Sequence, residues 1–177
     1  MVNEDIKKRL SKIRLIIMDV DGVLTDGRIY FNDRGEVMKA FHVHDGYGLR
    51  LAREHGLMLA AITGMISPVT RARLEHLNIT DIVEGCMEKA DALKALCEQK
   101  GLSHEEVLFI GDDLFDLGAF AEAGICVAVA DALGDVKKRA DYVTQKSGGQ
   151  GAVREIIDIV LKEKSDGQGS INRGNKE

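Results

Sequence analysis

Two aspartates two residues apart, Asp19 and Asp21, stand directly after an apolar run at 15–18 in the segment LIIMDVDGVLTDG. If that run is a buried strand, side chains alternate between its faces, and the two carboxylates share one side with a loop beginning at Gly22. No basic residue adjoins them in sequence. Like charges held together are costly unless a cation or a shared proton relieves them, which is the usual circumstance of a metal-assisted site. Asp-Gly also ends strands in plain polar turns, so the pair alone leaves both readings open. A second acidic cluster shifts the balance: Asp112, Asp113 and Asp116 in LFIGDDLFD, over 108–116, again follow a short apolar run. Magnesium favours a few carboxylate oxygens, waters and a substrate phosphate in octahedral geometry. Two acidic strand ends that meet would supply such a site. One aspartate there can attack phosphorus and form an aspartyl-phosphate, while its neighbour protonates the leaving alcohol and then activates water. Asp19 and Asp21 fit those two roles.

Further residues can serve an anion. Thr63 closes the apolar run 59–62 just before Gly64, so its hydroxyl and nearby backbone N–H groups can face a phosphate, although the same pattern makes an ordinary turn. Lys89, in MEKADALKAL, would offset phosphate charge and fix Asp19; on an amphipathic helix the commoner fate of lysine is solvation. Glycines at 148, 149 and 151 ahead of an apolar segment either let backbone approach a phosphate or sugar or form a flexible connection.

Bringing these residues together calls for a fold that gathers strand ends. Strands are expected at 15–18, 57–62, 82–84, 107–110, 125–129 and 142–143. Helices are expected at 48–55, 69–77, 90–99, 117–122, 136–139 and 153–163. Ser67 followed by Pro68 makes a good helix opening. Near-continuous apolar strands alternating with helices imply a doubly wound parallel sheet, Rossmann-like, with ligands at the carboxyl ends of the strands. The interval 28–44, RIYFNDRGEVMKAFHVH, breaks the alternation and reads as a β-hairpin. A lone hairpin is marginal in water, so this one is expected to be covered by other subunits. We expect one domain over 1–164. The tail 165–177, with almost no apolar residues, is expected to be disordered.

Composition narrows the classes. The 177 residues are 45% hydrophobic and 30% charged with a net charge of −5, which suits a soluble enzyme and gives no reason to expect nucleic-acid binding. No apolar stretch reaches membrane-spanning length, and the opening MVNEDIKKRLSKIR lacks the apolar core of a secretion signal, so a cytoplasmic protein is expected. Cys86, Cys97 and Cys126, odd in number and widely spaced, read as free thiols rather than a disulfide frame or zinc site.

In order along residues 10–162, the segments DVDGVLTDG (19–27), LAAITG (59–64), Lys89 and GDDLFD (111–116) resemble the four motifs of the haloacid dehalogenase superfamily. That resemblance implies Asp19 as nucleophile and Asp21 as general acid/base, with Thr63, Gly64 and Lys89 binding phosphate. It implies Mg²⁺ held by Asp19, Asp112 and the Asp21 backbone carbonyl, with Asp113 and Asp116 supporting. The hairpin, the lack of room for a cap domain, HDGYGL (44–49), AVADA (128–132) and KSGGQGAVRE (146–155) resemble the capless branch typified by 3-deoxy-D-manno-octulosonate 8-phosphate phosphatases. The branch implies hydrolysis of a phosphorylated sugar acid in lipopolysaccharide sugar biosynthesis. It also implies a homotetramer built by the hairpin, in which neighbouring subunits help close each active site. Met65 and His44 stand where the branch commonly has Arg. An Arg there would suit a substrate carboxylate through a bidentate fork; His44 reads either as a partly charged substrate-pocket residue or as hairpin surface, and Arg73, with Arg71, Lys146 and Arg154, are the candidates to compensate. A phosphatase for a nine-carbon keto acid sugar 9-phosphate or another small phosphorylated metabolite is the alternative substrate reading. A catalytically silent assembly subunit is the alternative of another class.

Overall fold

The computed structural model describes residues 3–171 apart from Glu36, and side chains through 166. In chain order the elements are α1 (Glu4–Lys12), β1 (Leu15–Met18), β2 (Tyr30–Phe31), β3 (Val37–Met38), α2 (Val43–Glu54), β4 (Met58–Ile62), α3 (Pro68–His76), β5 (Asp81–Val83), α4 (Lys89–Lys100), β6 (Val107–Gly111), α5 (Leu117–Glu122), β7 (Ile125–Ala128), α6 (Gly134–Arg139), β8 (Tyr142–Val143) and α7 (Ala152–Ile171). Six strands form one sheet in the order β5-β4-β1-β6-β7-β8, every pair parallel. The chain winds outward from β1 through β4 to β5, returns beside β1 as β6, and winds outward the other way. The order therefore reverses between β1 and β6, where a doubly wound sheet opens its crevice.

β1, β6 and β7 are buried along their whole length, which is why they read as unbroken apolar runs. On the helical layers, α7 lies against α1 and α2, and α4 lies against α5. Ser67 caps α3 as expected, its Oγ accepting from the Thr70 N–H at 3.4 Å with Pro68 in the first turn. The segment between β1 and α2 carries only the two-residue strands of the hairpin, and no cap domain is present among the described residues.

Three expectations are corrected. Helix α1 was not foreseen; Asn3 caps it, Ile6 and Leu10 anchor it in the core, and its strongly charged outer face masked that stripe. Helix α2 starts at Val43 rather than near Gly48, so His44 belongs to a helix and not to the hairpin. Gly46 and Gly48 allow close approach: a Cβ on Gly46 would lie 2.7 Å from Arg73 Nη2, and one on Gly48 2.8 Å from Arg154 Cδ and 3.2 Å from its Cα. Helix α7 continues through Ser165 to Ile171, into the segment expected to be disordered, because extending an existing helix adds a backbone bond without a new nucleus. Residues 172–177 of that tail lie outside the described residues.

Candidate active site

Asp19 is the first residue past β1, Thr63 the first past β4 and Asp112 the first past β6. Lys89 opens α4. Adjacent parallel strands thus deliver their next residues to one rim, as the sequence spacing implied. Asp19, Asp21, Thr63, Gly64, Lys89 and Asp113 line one cleft of about 210 Å³ together with Met65, Met87 and Phe115.

The Lys89 ammonium, 3% exposed, lies 2.9 Å from Asp19 Oδ1 and 2.6 Å from Asp116 Oδ1. Burial works against its charge, but the two carboxylates outweigh burial and raise its pKa. The other Asp116 oxygen accepts the backbone N–H groups of Asp112 (2.8 Å) and Asp113 (3.1 Å). Asp116 is therefore a brace, fully buried and fully used, that ties Lys89 to the loop after β6. Asp113 Oδ1 caps the short turn that follows by accepting the Leu114 N–H. Thr63 is 1% exposed; its Oγ1 accepts from the Met65 N–H at 3.4 Å, and its backbone is pinned to Val83 and Cys86.

Burial, followed by the charges of Asp19, Asp116 and Asp113, pushes Asp112 up to about 8. Burial raises Asp19 to about 6, with the Lys89 charge pulling it back down and the Asp116 charge adding to the rise. A cation would relieve two carboxylates so displaced. Oxygens of Asp19, Asp112 and Asp116 lie within 4.8 Å of one another, and Asp112 Oδ1 is buried without a hydrogen-bond partner among the described residues. Hard oxygen donors with an unused lone pair fit a magnesium-sized ion. Since Asp116 is already engaged, Asp19 and Asp112 are the side chains that would hold it. Gly22 leaves the room: at φ +96° its Cβ would fall 2.1 Å from Asp112 Oδ2.

Sequence reasoning missed Lys39. Its side chain, 0% exposed, reaches from the end of β3 to lie 2.7 Å from Asp21 Oδ1 and 2.8 Å from Oδ2, and donates to Thr70 Oγ1 at 3.0 Å. In the structure Lys39 shares a face with Val37 and Phe41, which are both more buried than Met38 and Ala40 between them, but the residue types of 37–41 do not alternate and gave no signal of it.

The glycines at 148 and 149 approach protein backbone rather than open cleft. The Gly149 N–H donates to the Val23 carbonyl at 3.0 Å, latching this loop onto the segment that follows Asp21, and the Gly148 N–H donates to Asp131, past β7, at 2.9 Å. Buried Asp45 accepts from the backbone N–H groups of Gly151 and Arg154, fixing the start of α7. Neither His44 nor Arg73 lines the Asp19 cleft of its own chain. His44 lines a separate cleft with Lys146 and Arg154; Arg73 sits 5.7 Å above the Phe41 ring, and Arg71 pairs with Glu84.

Residues 58–157 match the haloacid dehalogenase-like hydrolase family. The chain is 44% identical over 160 residues to a 3-deoxy-D-manno-octulosonate 8-phosphate phosphatase of Escherichia coli strain B, covering 90% of this chain and 85% of the relative. It is similar in structure to the enzyme of that name from Moraxella catarrhalis, solved with magnesium, phosphate and KDO (38% identity, 97% and 98% of the two chains, TM-score 0.89). It is likewise similar to the cobalt-bound form from Haemophilus influenzae (41% identity, 89% and 92%, TM-score 0.87).

Proposed function

This chain belongs to the haloacid dehalogenase-like hydrolase family, and from that premise we propose that it is a magnesium-dependent phosphomonoester hydrolase. Its substrate in this reading is 3-deoxy-D-manno-octulosonate 8-phosphate, and the product feeds lipopolysaccharide sugar biosynthesis. The observation that carries the proposal is the convergence of Asp19, Lys89, Thr63 and Asp112 on one rim, in a chain so similar to a phosphatase solved with magnesium, phosphate and the sugar acid.

Asp19 attacks phosphorus in line; a bond forms from its carboxylate oxygen as the bond from phosphorus to the sugar oxygen breaks. Asp21 gives its proton to that departing oxygen. Lys89 and the Thr63 hydroxyl, with the Gly64 backbone, hold the equatorial oxygens where charge accumulates, so the site acts by positioning and electrostatics. Asp21, now a carboxylate, takes a proton from water as that water opens the aspartyl-phosphate. Asp19, Asp112 and, as the family resemblance implies, the Asp21 backbone carbonyl would hold Mg²⁺, which would supply the positive charge that lets a carboxylate meet a phosphate dianion.

Initial rates on eight- and nine-carbon sugar-acid phosphates and on simple phosphate esters, with and without chelator, test the reading. We expect the eight-carbon ester to be fastest and chelator to abolish hydrolysis. Preference for the nine-carbon ester would favour the alternative consistent with Met65 and His44, and the absence of magnesium-dependent hydrolysis on every ester would leave the silent subunit. Asp19→Asn should lower turnover by at least about a thousandfold with an unchanged circular dichroism spectrum; wild-type rate in that variant would exclude the scheme.

Residues 1–164 form the catalytic domain in this reading, and the enzyme acts in the cytoplasm as a homotetramer. The hairpin supports the assembly, since Tyr30, Phe31 and Met38 are 49%, 66% and 69% exposed in the single chain. No helix among the described residues is long and apolar enough to cross a membrane.

A further inference from the structure

We propose that Lys39 is a positioning residue for proton transfer, holding Asp21 in place from the base of the hairpin; the inference rests on the assignment of Asp21 as acid and base. A lysine side chain with no exposure is rare unless its charge is matched. Here the matching groups are the two Asp21 oxygens at 2.7 and 2.8 Å and Thr70 Oγ1 at 3.0 Å. Thr70 is itself 0% exposed and lies on α3, which Ser67 caps. The ammonium thus joins three parts of the fold: the loop after β1, helix α3 and the hairpin.

The strands of that hairpin are only two residues long, and its aromatic and methionine side chains are largely exposed. The buried Lys39 ammonium is a tether between it and the site. Asp21 stands on a loop, not on the strand, and its side chain is 21% exposed, so without a partner it could turn among rotamers. The ammonium, in contact with both oxygens, restricts the group to one orientation. Proton transfer by a positioned group contributes about 10² to 10⁴ in rate, and orientation is the part of that factor which Lys39 governs.

The role predicts a signature that loss of folded protein would not produce. When the leaving group is an alkyl oxygen, formation of the aspartyl-phosphate needs the proton from Asp21. When it is 2,4-dinitrophenolate, the bond to phosphorus breaks without that proton. Opening of the acyl-phosphate needs Asp21 as base for either ester. Lys39→Met should therefore slow single-turnover cleavage of an alkyl sugar phosphate by about a hundredfold and leave the dinitrophenolate burst within about fivefold of wild type in rate and equal in amplitude per folded site. The burst should be followed by a slow steady state in which phosphorylated Asp19 accumulates and can be trapped by acid quench and borohydride reduction.

Lys39→Arg should recover at least about tenfold of the alkyl-ester loss, since it keeps the charge. Equal losses on both esters, an unchanged alkyl-ester rate, or a full burst with fast turnover would each overturn the proposal. Thr70→Val, which removes one acceptor of the ammonium while keeping the side-chain shape, is expected to show the same leaving-group contrast at smaller size. It carries the test if the methionine variant does not fold. Wild-type hydrolysis of both esters with magnesium, and its loss in Asp19→Asn, report separately on the underlying assignment.

Discussion

Asp112 is the residue whose charge suffers most from its surroundings. Burial and then the neighbouring carboxylates hold it near 8, against 3.8 for an ordinary aspartate, so the metal-free native state binds a proton that the unfolded chain releases. The sign follows from proton linkage: a folded pKa above the unfolded one gives stability that is fully present below about pH 4 and lost as pH rises towards 8, opposite to a salt-bridged aspartate. In chelator, the unfolding temperature should therefore fall by a few degrees from about pH 5.5 to pH 8. Asp112→Asn should flatten that decline. Magnesium should raise the unfolding temperature more at about pH 8 than at about pH 6, because a metal ion competes with the proton. Calorimetric titration in buffers of different ionisation enthalpy should detect up to about one proton released per ion near pH 7. A wild-type protein that releases none would show that Asp112 is already ionised.

At the level of elements, most of the architecture was legible because period and composition agree. β1 and β8 fall where their apolar runs stand, and β4, β5, β6 and β7 lie within a residue of the expected bounds. These strands are buried on both faces or paired with ones that are, so hydrophobic runs report them directly. What was not legible depended on contacts between distant segments. The start of α2 at Val43 stays hidden until Gly46 is seen against Arg73 of α3 and Gly48 against Arg154 of α7. The glycines at 148 and 149 look like an anion cradle until they are found against the loop after β1. In the site, Asp19, Asp112, Thr63 and Lys89 could be read from their places after apolar runs or before a helix, whereas Lys39 and the bracing role of Asp116 required knowledge of what lay across from them. Gly148→Ala makes the point measurable: its Cβ would fall 1.7 Å from the Gly22 carbonyl oxygen and 3.0 Å from that of Thr25. We expect a stability loss of about 2 kcal/mol or more in urea unfolding, with turnover falling further than the folded fraction. A fully active, fully stable alanine variant would mean that this loop yields freely.

For the whole molecule, the exposed hairpin and the apolar side chains around the cleft point the same way. Ile66, Met87, Leu114 and Phe115 are each 47% or more exposed, and Met87 and Phe115 are at the cleft itself. Such a rim is costly to leave in water, and on the tetramer proposal it is covered by neighbouring copies. Light scattering should give about four times the chain mass of 19.4 kDa. Phe31→Asp should shift that mass downward and weaken substrate binding, while the single-chain fold persists; an unchanged mass would remove Phe31 from the interface. The latch between the glycine loop and the segment after Asp21 bears on synthesis as well. Every acidic, hydroxyl and ammonium group assigned to catalysis lies at or before position 116, whereas the latch lies at 148 and 149. A polypeptide emerging from the ribosome therefore holds its full set of reactive groups well before it holds the clasp that shapes their loop, so competence waits on that later stretch.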